Sequence, residues 1–263
     1  MPLTDIQAVL SQRPRGFVFD IDGTLSPIAP TPGEAQLYPG VAVLLERARQ
    51  QAHVAIVTGR SVESGAAIIN VEGLTYIGNH GLEWCDGLPS THTVQVVPEA
   101  LPYVEPGKQL LDLAELELAE MPGVLMERKR IGGSIHYRLS PDPQGAREKI
   151  LALLAEPARK LHLRLSEGKY VVEVRTPLTI DKGVSLRRFV ERHQLRGVVF
   201  AGDDRTDLDA VLEAARLRQD GIAAVAIVVE HHDTLPALLE HADIIVREVE
   251  GMVALLRQAV NEL

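Results

Sequence analysis

Two carboxylates spaced two apart, Asp20 and Asp22, close the apolar run Phe17-Val18-Phe19 and lead into Gly23-Thr24. Side chains of a strand alternate between faces, so both carboxylates can point the same way where the strand ends. That arrangement puts a nucleophile and a metal site at one strand tip. Gly23 lets the chain turn with positive φ close to a bound anion, although a buried strand followed by an ordinary Asp-Gly turn would read the same. A second acidic group, Asp203, Asp204 and Asp207, follows Phe200-Ala201-Gly202. Three carboxylates so close repel one another unless a cation binds there or a nearby lysine pairs with them. An all-oxygen set of hard ligands fits Mg²⁺, which takes one or two carboxylates and fills its shell with waters and substrate phosphate. The competing reading is an acidic cap on the following helix, for Asp207 above all.

Two more segments offer what a transferred phosphate needs. Thr58-Gly59-Arg60, after Ile56-Val57, supplies a hydroxyl and backbone N–H groups at a strand end and helix start, which suits a phosphate oxygen. Asp181-Lys182-Gly183 sets a lysine at a helix start, where it can neutralise phosphate or aspartyl-phosphate charge, although most such lysines are solvated.

Positioning these groups requires strand tips brought together. The chain reads as strand Phe17 to Asp20, helix Pro39 to Gln51, strand Val54 to Val57, a helix capped by Ser61, and strand Thr75 to Ile77. The same grammar returns as helix Asp181 to Gln194, strand Gly197 to Ala201, helix Thr206 to Leu217, strand Ala223 to Val229, and Ile244 to Val246 before a last helix. Short apolar strands joined by helices predict a parallel sheet covered on both faces, with ligands at the carboxyl ends of its strands.

Residues 101–178 have another rhythm. Helix-like Gly107 to Glu120 and Pro143 to Leu154 alternate with strand-like Gly123 to Arg130, Gly133 to Leu139, Lys160 to Leu165 and Lys169 to Arg175. This αββαββ order predicts a small α+β domain with its helices on one face of an antiparallel sheet. Pro98, Pro102 and Pro106 on one side and Thr176-Pro177 on the other supply stiff hinges. The expected organisation is therefore an α/β, doubly wound (Rossmann-like) core of residues 1–100 and 179–263, with an α+β cap of residues 101–178 inserted.

Composition narrows the function classes. With 46% apolar and 24% charged residues the chain is an ordinary globular one. A net charge of −9, from 27 basic and 36 acidic side chains, works against a nucleic-acid surface. No apolar run reaches the roughly 18–20 residues that cross a bilayer, and the expected location is cytoplasmic, with no obligate protein partner evident. The single Cys85 reads as structural, and tandem His231-His232 as a solvated strand end, since no third metal ligand accompanies it.

In order, Asp20-x-Asp22-Gly23-Thr24, then Thr58, then Lys182, then the Asp203 cluster, the four motifs resemble those of the haloacid dehalogenase superfamily of phosphotransferases. The resemblance implies a doubly wound core with a cap inserted between the second and third motifs. It also implies Asp20 as the nucleophile that forms an aspartyl-phosphate and Asp22 as general acid and base. Mg²⁺ would be held by Asp20, the backbone carbonyl of Asp22 and Asp203, with Thr58, the following Gly59 amide and Lys182 on the phosphoryl oxygens, and with Asp204 and Asp207 behind the metal ligands.

Finer segments, Asp20 to Ile28, Gly78-Asn79-His80-Gly81-Leu82-Glu83, His136-Tyr137-Arg138, Glu173-Val174-Arg175 and Gly202 to Asp207, look like the trehalose-6-phosphate phosphatase family, whose cap closes over a disaccharide phosphate. By that similarity the substrate is a small sugar phosphate. Glu127, Lys129 and Glu173 would bond sugar hydroxyls, His136 and Arg138 would face substrate or phosphate, and Arg60 and His80 would stand near the phosphate. Two departures occur: Thr176 intervenes between Arg175 and Pro177, and Leu208 stands where an acidic residue commonly follows Asp207. Rival readings are a related capped phosphatase acting on sucrose phosphate or mannosyl-3-phosphoglycerate, a phosphomutase, and a non-catalytic sugar-phosphate-binding module.

Overall fold

The computed structural model describes residues 2–263. In chain order its elements are α1 (Pro2–Leu10), β1 (Arg15–Phe19), α2 (Val41–Ala48), β2 (His53–Val57), α3 (Val62–Ile69), β3 (Thr75–Gly78), β4 (Glu83–Asp86) and β5 (Gln95–Val96). Then come α4 (Val104–Leu118), β6 (Leu125–Arg128), β7 (Gly133–His136), α5 (Pro143–Lys160), β8 (Arg164–Gly168) and β9 (Val171–Arg175). The chain ends with α6 (Lys182–Arg192), β10 (Gly197–Gly202), α7 (Leu208–Gln219), β11 (Ala223–Glu230), α8 (Pro236–His241), β12 (Ile244–Arg247) and α9 (Glu248–Asn261). Two compact units result: residues Met1–Gln95 with Ile180–Leu263, and residues Val96–Thr179.

The first unit holds an eight-stranded sheet in the order β12-β11-β10-β1-β2-β3-β4-β5. Every pair from β12 through to β3 is parallel. Strand β4 runs antiparallel to β3, so the sheet is mixed at one edge rather than wholly parallel. The central strands are buried on both faces, as in Phe17-Val18-Phe19 and Val198-Val199-Phe200, because helices cover both sides. One apolar cluster joins α1, α2, α3 and α9 to β1, β2, β10 and β11 through residues such as Ile6, Leu45, Ile69, Phe19, Ile56, Val199, Ile227 and Met252. From β1 the chain moves to β2 on one side, and its later half fills the other side from β10. Strands β1 and β10 therefore flank the place where the winding reverses, which is where open α/β sheets bind ligands.

The second unit is a four-stranded antiparallel sheet ordered β6-β7-β9-β8 with α4 and α5 on one face. Ile135, Val172 and Val174 from the sheet pack with Leu110, Leu111, Ile150 and Leu154 from the helices. Helix α5 does not stop near Leu154. It runs through Pro157 to Lys160, since Ala146, Ile150, Leu154 and Ala158, four apart, form one buried stripe whose packing outweighs the proline's missing N–H. The next strand accordingly starts at Arg164 instead of Lys160. Among the described residues no helix is long and apolar enough to cross a membrane.

Candidate active site

Strands β1 and β10 pair in parallel with Phe19 opposite Ala201, so the residues just beyond them arrive side by side: Asp20 from one tip, Asp203 from the other. The Asp20 amide donates to the Ala201 carbonyl at 2.9 Å, which extends the ladder into the site. On the other flank Phe19 lies opposite Ile56, and β2 delivers Thr58 to the neighbouring tip. Lys182 is the first residue of α6, whose N-cap Asp181 accepts from the Val184 amide at 2.8 Å. From there its ammonium reaches 3.1 Å from Asp20 Oδ1 and 2.8 Å from Asp207 Oδ1, with only 2% of its side chain exposed.

Asp20, Asp203 and Asp207 are all buried, and one carboxylate oxygen from each lies within 4.8 Å of the others. Asp207 is the organiser. Its Oδ1 accepts from Lys182, while Oδ2 accepts from the amides of Asp203 and Asp204, both at 3.1 Å. Asp204 faces outward and caps the same turn, accepting from the Thr206 amide and hydroxyl at 2.8 and 2.7 Å. The two form a reciprocal capping box before α7, so the helix-cap reading of this motif holds for Asp204, while Asp207 serves both as cap and as partner of Lys182.

Burial pushes the Asp20 carboxyl up to about 7, with Lys182 opposing and Asp203, Asp204 and Asp22 reinforcing the rise. Burial, followed by the charges of Asp207 and Asp204, also raises Asp203 well above the carboxylate range. Burial works against the Lys182 ammonium, but Asp20, Asp207 and Asp204 outweigh it and hold the group well above its ordinary value. Three buried carboxylates face one lysine, so the fully ionised cluster carries two uncompensated negative charges. A divalent cation would balance them, and the hard, all-oxygen donor set of Asp20 and Asp203 suits Mg²⁺.

A raised carboxyl value means that the folded state holds protons the unfolded chain releases. The stability Asp20 contributes is thus full below the unfolded value near 4 and is lost as pH rises through about 7. Without metal, Asp20→Asn should therefore melt higher than the parent chain, by a margin that widens between pH 5 and pH 8. Melting curves over that range check this, and a constant margin would show that Asp20 is not the proton carrier.

The turn after β1 is tightly built. Gly23 has φ +77, and a Cβ there would overlap the Asp203 carboxylate. The Gly23 amide donates to the Ser26 carbonyl at 2.7 Å, and the Thr24 hydroxyl donates to Asp203 Oδ1 at 3.3 Å. Asp22 turns its side chain to Arg60, whose Nε and Nη2 donate to its two oxygens at 2.6 and 2.8 Å. Arg60, expected beside the phosphate, instead forks onto this carboxylate and also donates to Pro32 O and Ser64 Oγ. A planar guanidinium satisfies a carboxylate with two parallel bonds. Thr58 is buried and fixed by its neighbours: its amide donates to Ile77 O at 2.9 Å, its hydroxyl accepts from the Arg60 amide at 3.2 Å, and its carbonyl accepts from His80 at 3.0 Å. The His80 ring lies against Gly59, which leaves no room for a Cβ. Asn79 and His80 both sit at positive φ, which explains the compact turn after β3.

In the second unit the register aligns Glu127 with Ser134, Ser134 with Glu173, and Glu173 with Ser166. These four form a row across all four strands. Ile135 and Val172, one residue on, point to the helices, so the row stands on the opposite face. Around it, His136 Nε2 lies 3.2 Å from Glu127 Oε2 and Lys129 Nζ lies 3.5 Å from Glu173 Oε1. The structure thus gathers Glu127, Lys129, His136 and Glu173 on one polar face. Arg138 stands apart, its guanidinium 5.7 Å from the Tyr170 ring centre. Sequence reasoning missed His231: far from solvated, its side chain is 9% exposed, against 89% for His232, and Nε2 donates to the Gly23 carbonyl at 2.8 Å.

A family model described as trehalose-phosphatase matches residues 18–235. The trehalose-phosphate phosphatase of Mycobacterium avium (strain 104) is 32% identical over 233 residues, covering 85% of this chain and 56% of that protein. That of Mycobacterium marinum is 33% identical over 230 residues, covering 84% and 55%. The chain spans about half the length of the curated relatives it matches. Among solved structures, the C-terminal domain of C. albicans trehalose-6-phosphate phosphatase superposes with a TM-score of 0.79 at 19% identity, covering 99% of this chain and 96% of the other. The C-terminal domain of a Candida albicans trehalose synthase regulatory protein superposes at 0.68 with 13% identity, covering 98% and 97%. These likenesses concern the fold alone.

Proposed function

Since the chain belongs to the trehalose-phosphatase family, we propose that it hydrolyses trehalose 6-phosphate to trehalose and phosphate through an aspartyl-phosphate on Asp20. One observation carries this reading: Asp20 and Lys182 meet at 3.1 Å beside Asp203, buried at the tips of β1 and β10. A non-catalytic sugar-phosphate binder has no use for a buried carboxylate held by a lysine and short of counter-charge, so the enzyme reading is preferred over that alternative.

The first step is attack of an Asp20 oxygen on phosphorus, forming the aspartyl-phosphate as the bond to the sugar oxygen breaks. Asp22 gives a proton to the departing sugar oxygen, then takes one from the water that attacks the phosphorus and frees Asp20. To do so it must exchange its Arg60 partner for the reacting oxygen. Thr58, the Gly59 amide and Lys182 hold the phosphoryl oxygens while charge redistributes. Mg²⁺ held by Asp20, Asp203 and the Asp22 carbonyl would screen the phosphate from the incoming carboxylate and orient it. Asp207 keeps Lys182 aimed and the loop of Asp203 and Asp204 closed.

The polar row of the second unit is the proposed sugar-binding face. Carboxylates at Glu127 and Glu173, with His136 and Lys129 beside them, offer acceptors and donors for neutral hydroxyls. Glu127→Gln and Glu173→Gln should each raise KM for trehalose 6-phosphate about tenfold, the loss of a charge-assisted hydrogen bond or two, and leave hydrolysis of p-nitrophenyl phosphate unchanged. Steady-state kinetics on both esters checks this. Equal losses on both would remove the face from substrate selection, and a parent enzyme that prefers sucrose 6-phosphate would reassign the substrate within the same mechanism.

A further inference from the structure

We propose that His231 and Glu248 form a clamp that positions the turn of Asp22, Gly23 and Thr24 for metal binding and phosphoryl transfer. The proposal rests on the phosphatase reading for its kinetic consequence only. The His231 ring is wedged between two oxygens: Nε2 donates to the Gly23 carbonyl at 2.8 Å, and Nδ1 lies 2.8 Å from Glu248 Oε2. Nε2 also stands 3.8 Å from Asp203 Oδ2. The backbone that carries the ring is itself fixed, since the His231 amide donates to the Thr234 hydroxyl at 2.7 Å and the Thr234 amide to the His231 carbonyl at 3.3 Å.

Glu248 gives an independent reason to see a purpose here. It opens α9 with φ +53, a left-handed conformation that costs a non-glycine residue about 1 kcal/mol or more. Its side chain is 61% exposed, so burial does not repay that strain. What the conformation secures is the carboxylate on His231.

The consequence falls on Gly23. Its amide is tied to the Ser26 carbonyl and its carbonyl to His231, so the peptide planes on both sides of this residue are held. The Asp22 carbonyl belongs to the first of those planes. His231 touches neither phosphate nor metal in this scheme. It is a positioning residue that acts through the backbone, in the way that outer hydrogen bonds tune ligands they do not replace.

The test is calorimetric titration with Mg²⁺ alone, alongside melting curves and kinetics, on His231→Leu, His231→Gln and Glu248→Gly. His231→Leu should weaken Mg²⁺ binding and lower kcat for trehalose 6-phosphate by about tenfold each, the scale seen when such outer partners are lost, with KM unchanged. His231→Gln, whose amide can still donate to the Gly23 carbonyl, should recover most of both. Glu248→Gly should weaken Mg²⁺ binding while its melting temperature holds or rises, because the backbone strain is gone. If His231→Leu and Glu248→Gly alter stability while Mg²⁺ affinity and kcat stay as in the parent, the pair is merely a helix cap and the clamp is refuted. Should His231→Leu fail to fold, the other two variants decide. A parent chain that hydrolyses no ester but loses Mg²⁺ affinity in these variants would sink the phosphatase reading and keep the clamp.

Discussion

Asp20→Asn is expected to lower phosphate release from trehalose 6-phosphate by roughly 10⁴-fold or more, the scale of losing a nucleophile while binding and electrostatic assistance remain. An amide cannot attack phosphorus and leave again, so the step that divides the displacement in two disappears. Folding should survive. The Asp20 amide keeps its bond to the Ala201 carbonyl, the flanking strand is buried on both faces, and Lys182 retains Asp207. The measurement is single-turnover phosphate release with the melting curve taken in parallel. Residual activity within tenfold of the parent in a folded protein would mean that another group, or water directly, attacks the phosphorus.

Lys182→Met carries the largest expected effect on stability. It removes the ammonium 3.1 Å from Asp20 and 2.8 Å from Asp207 while roughly keeping the volume. Breaking a buried ion pair by deleting one partner destabilises by about 3–5 kcal/mol, which for a chain of this size is a fall of about 10 °C in melting temperature. The sign with pH follows from the lysine's raised value: its contribution is full below the unfolded value near 10.4 and is lost only as pH rises through the still higher folded one, beyond the usual assay range. The destabilisation should therefore persist at neutral pH in metal-free protein and shrink on adding Mg²⁺, which supplies the missing charge. Thermal denaturation with and without Mg²⁺ reads both effects. A variant as stable as the parent would show that the carboxylates are held neutral and that the lysine is not their counter-ion.

How much of this was legible in the chain depended on distance along it. Asp20, Asp22 and Gly23 lie within one short stretch of the chain, and so do Asp203, Asp204 and Asp207. An apolar run ending in carboxylates names a strand tip without help from elsewhere, and the alternating grammar predicts a parallel sheet, but that β1 pairs with β10 is seen only in the fold. The partner of Asp22 was not legible: Arg60 stands 38 residues away, and no local rule says that its fork turns to a carboxylate instead of a phosphate. His231 was misread for the same reason. Its acceptor on Gly23 is 208 residues distant, and a His-His pair at a strand end carries no period that separates a buried ring from a solvated one.

The cap shows the middle case. Its αββαββ order could be read from turn residues and apolar periodicity, but the row of Glu127, Ser134, Glu173 and Ser166 exists only once the register is known, because a shift by one residue would send each side chain to the other face. The helix end at Lys160 was hidden by Pro157, a local breaker overruled by the buried stripe from Ala146 to Ala158. Helices α1 and α8, nine and six residues long, were too short to announce themselves against their neighbours.

The most direct measurement is phosphate release, with and without Mg²⁺, from trehalose 6-phosphate beside sucrose 6-phosphate, glucose 6-phosphate, mannosyl-3-phosphoglycerate and p-nitrophenyl phosphate. Mg²⁺-dependent turnover that favours trehalose 6-phosphate over every other ester is the predicted result. No release from any ester, by a folded protein supplied with Mg²⁺, would contradict the assignment of a phosphatase.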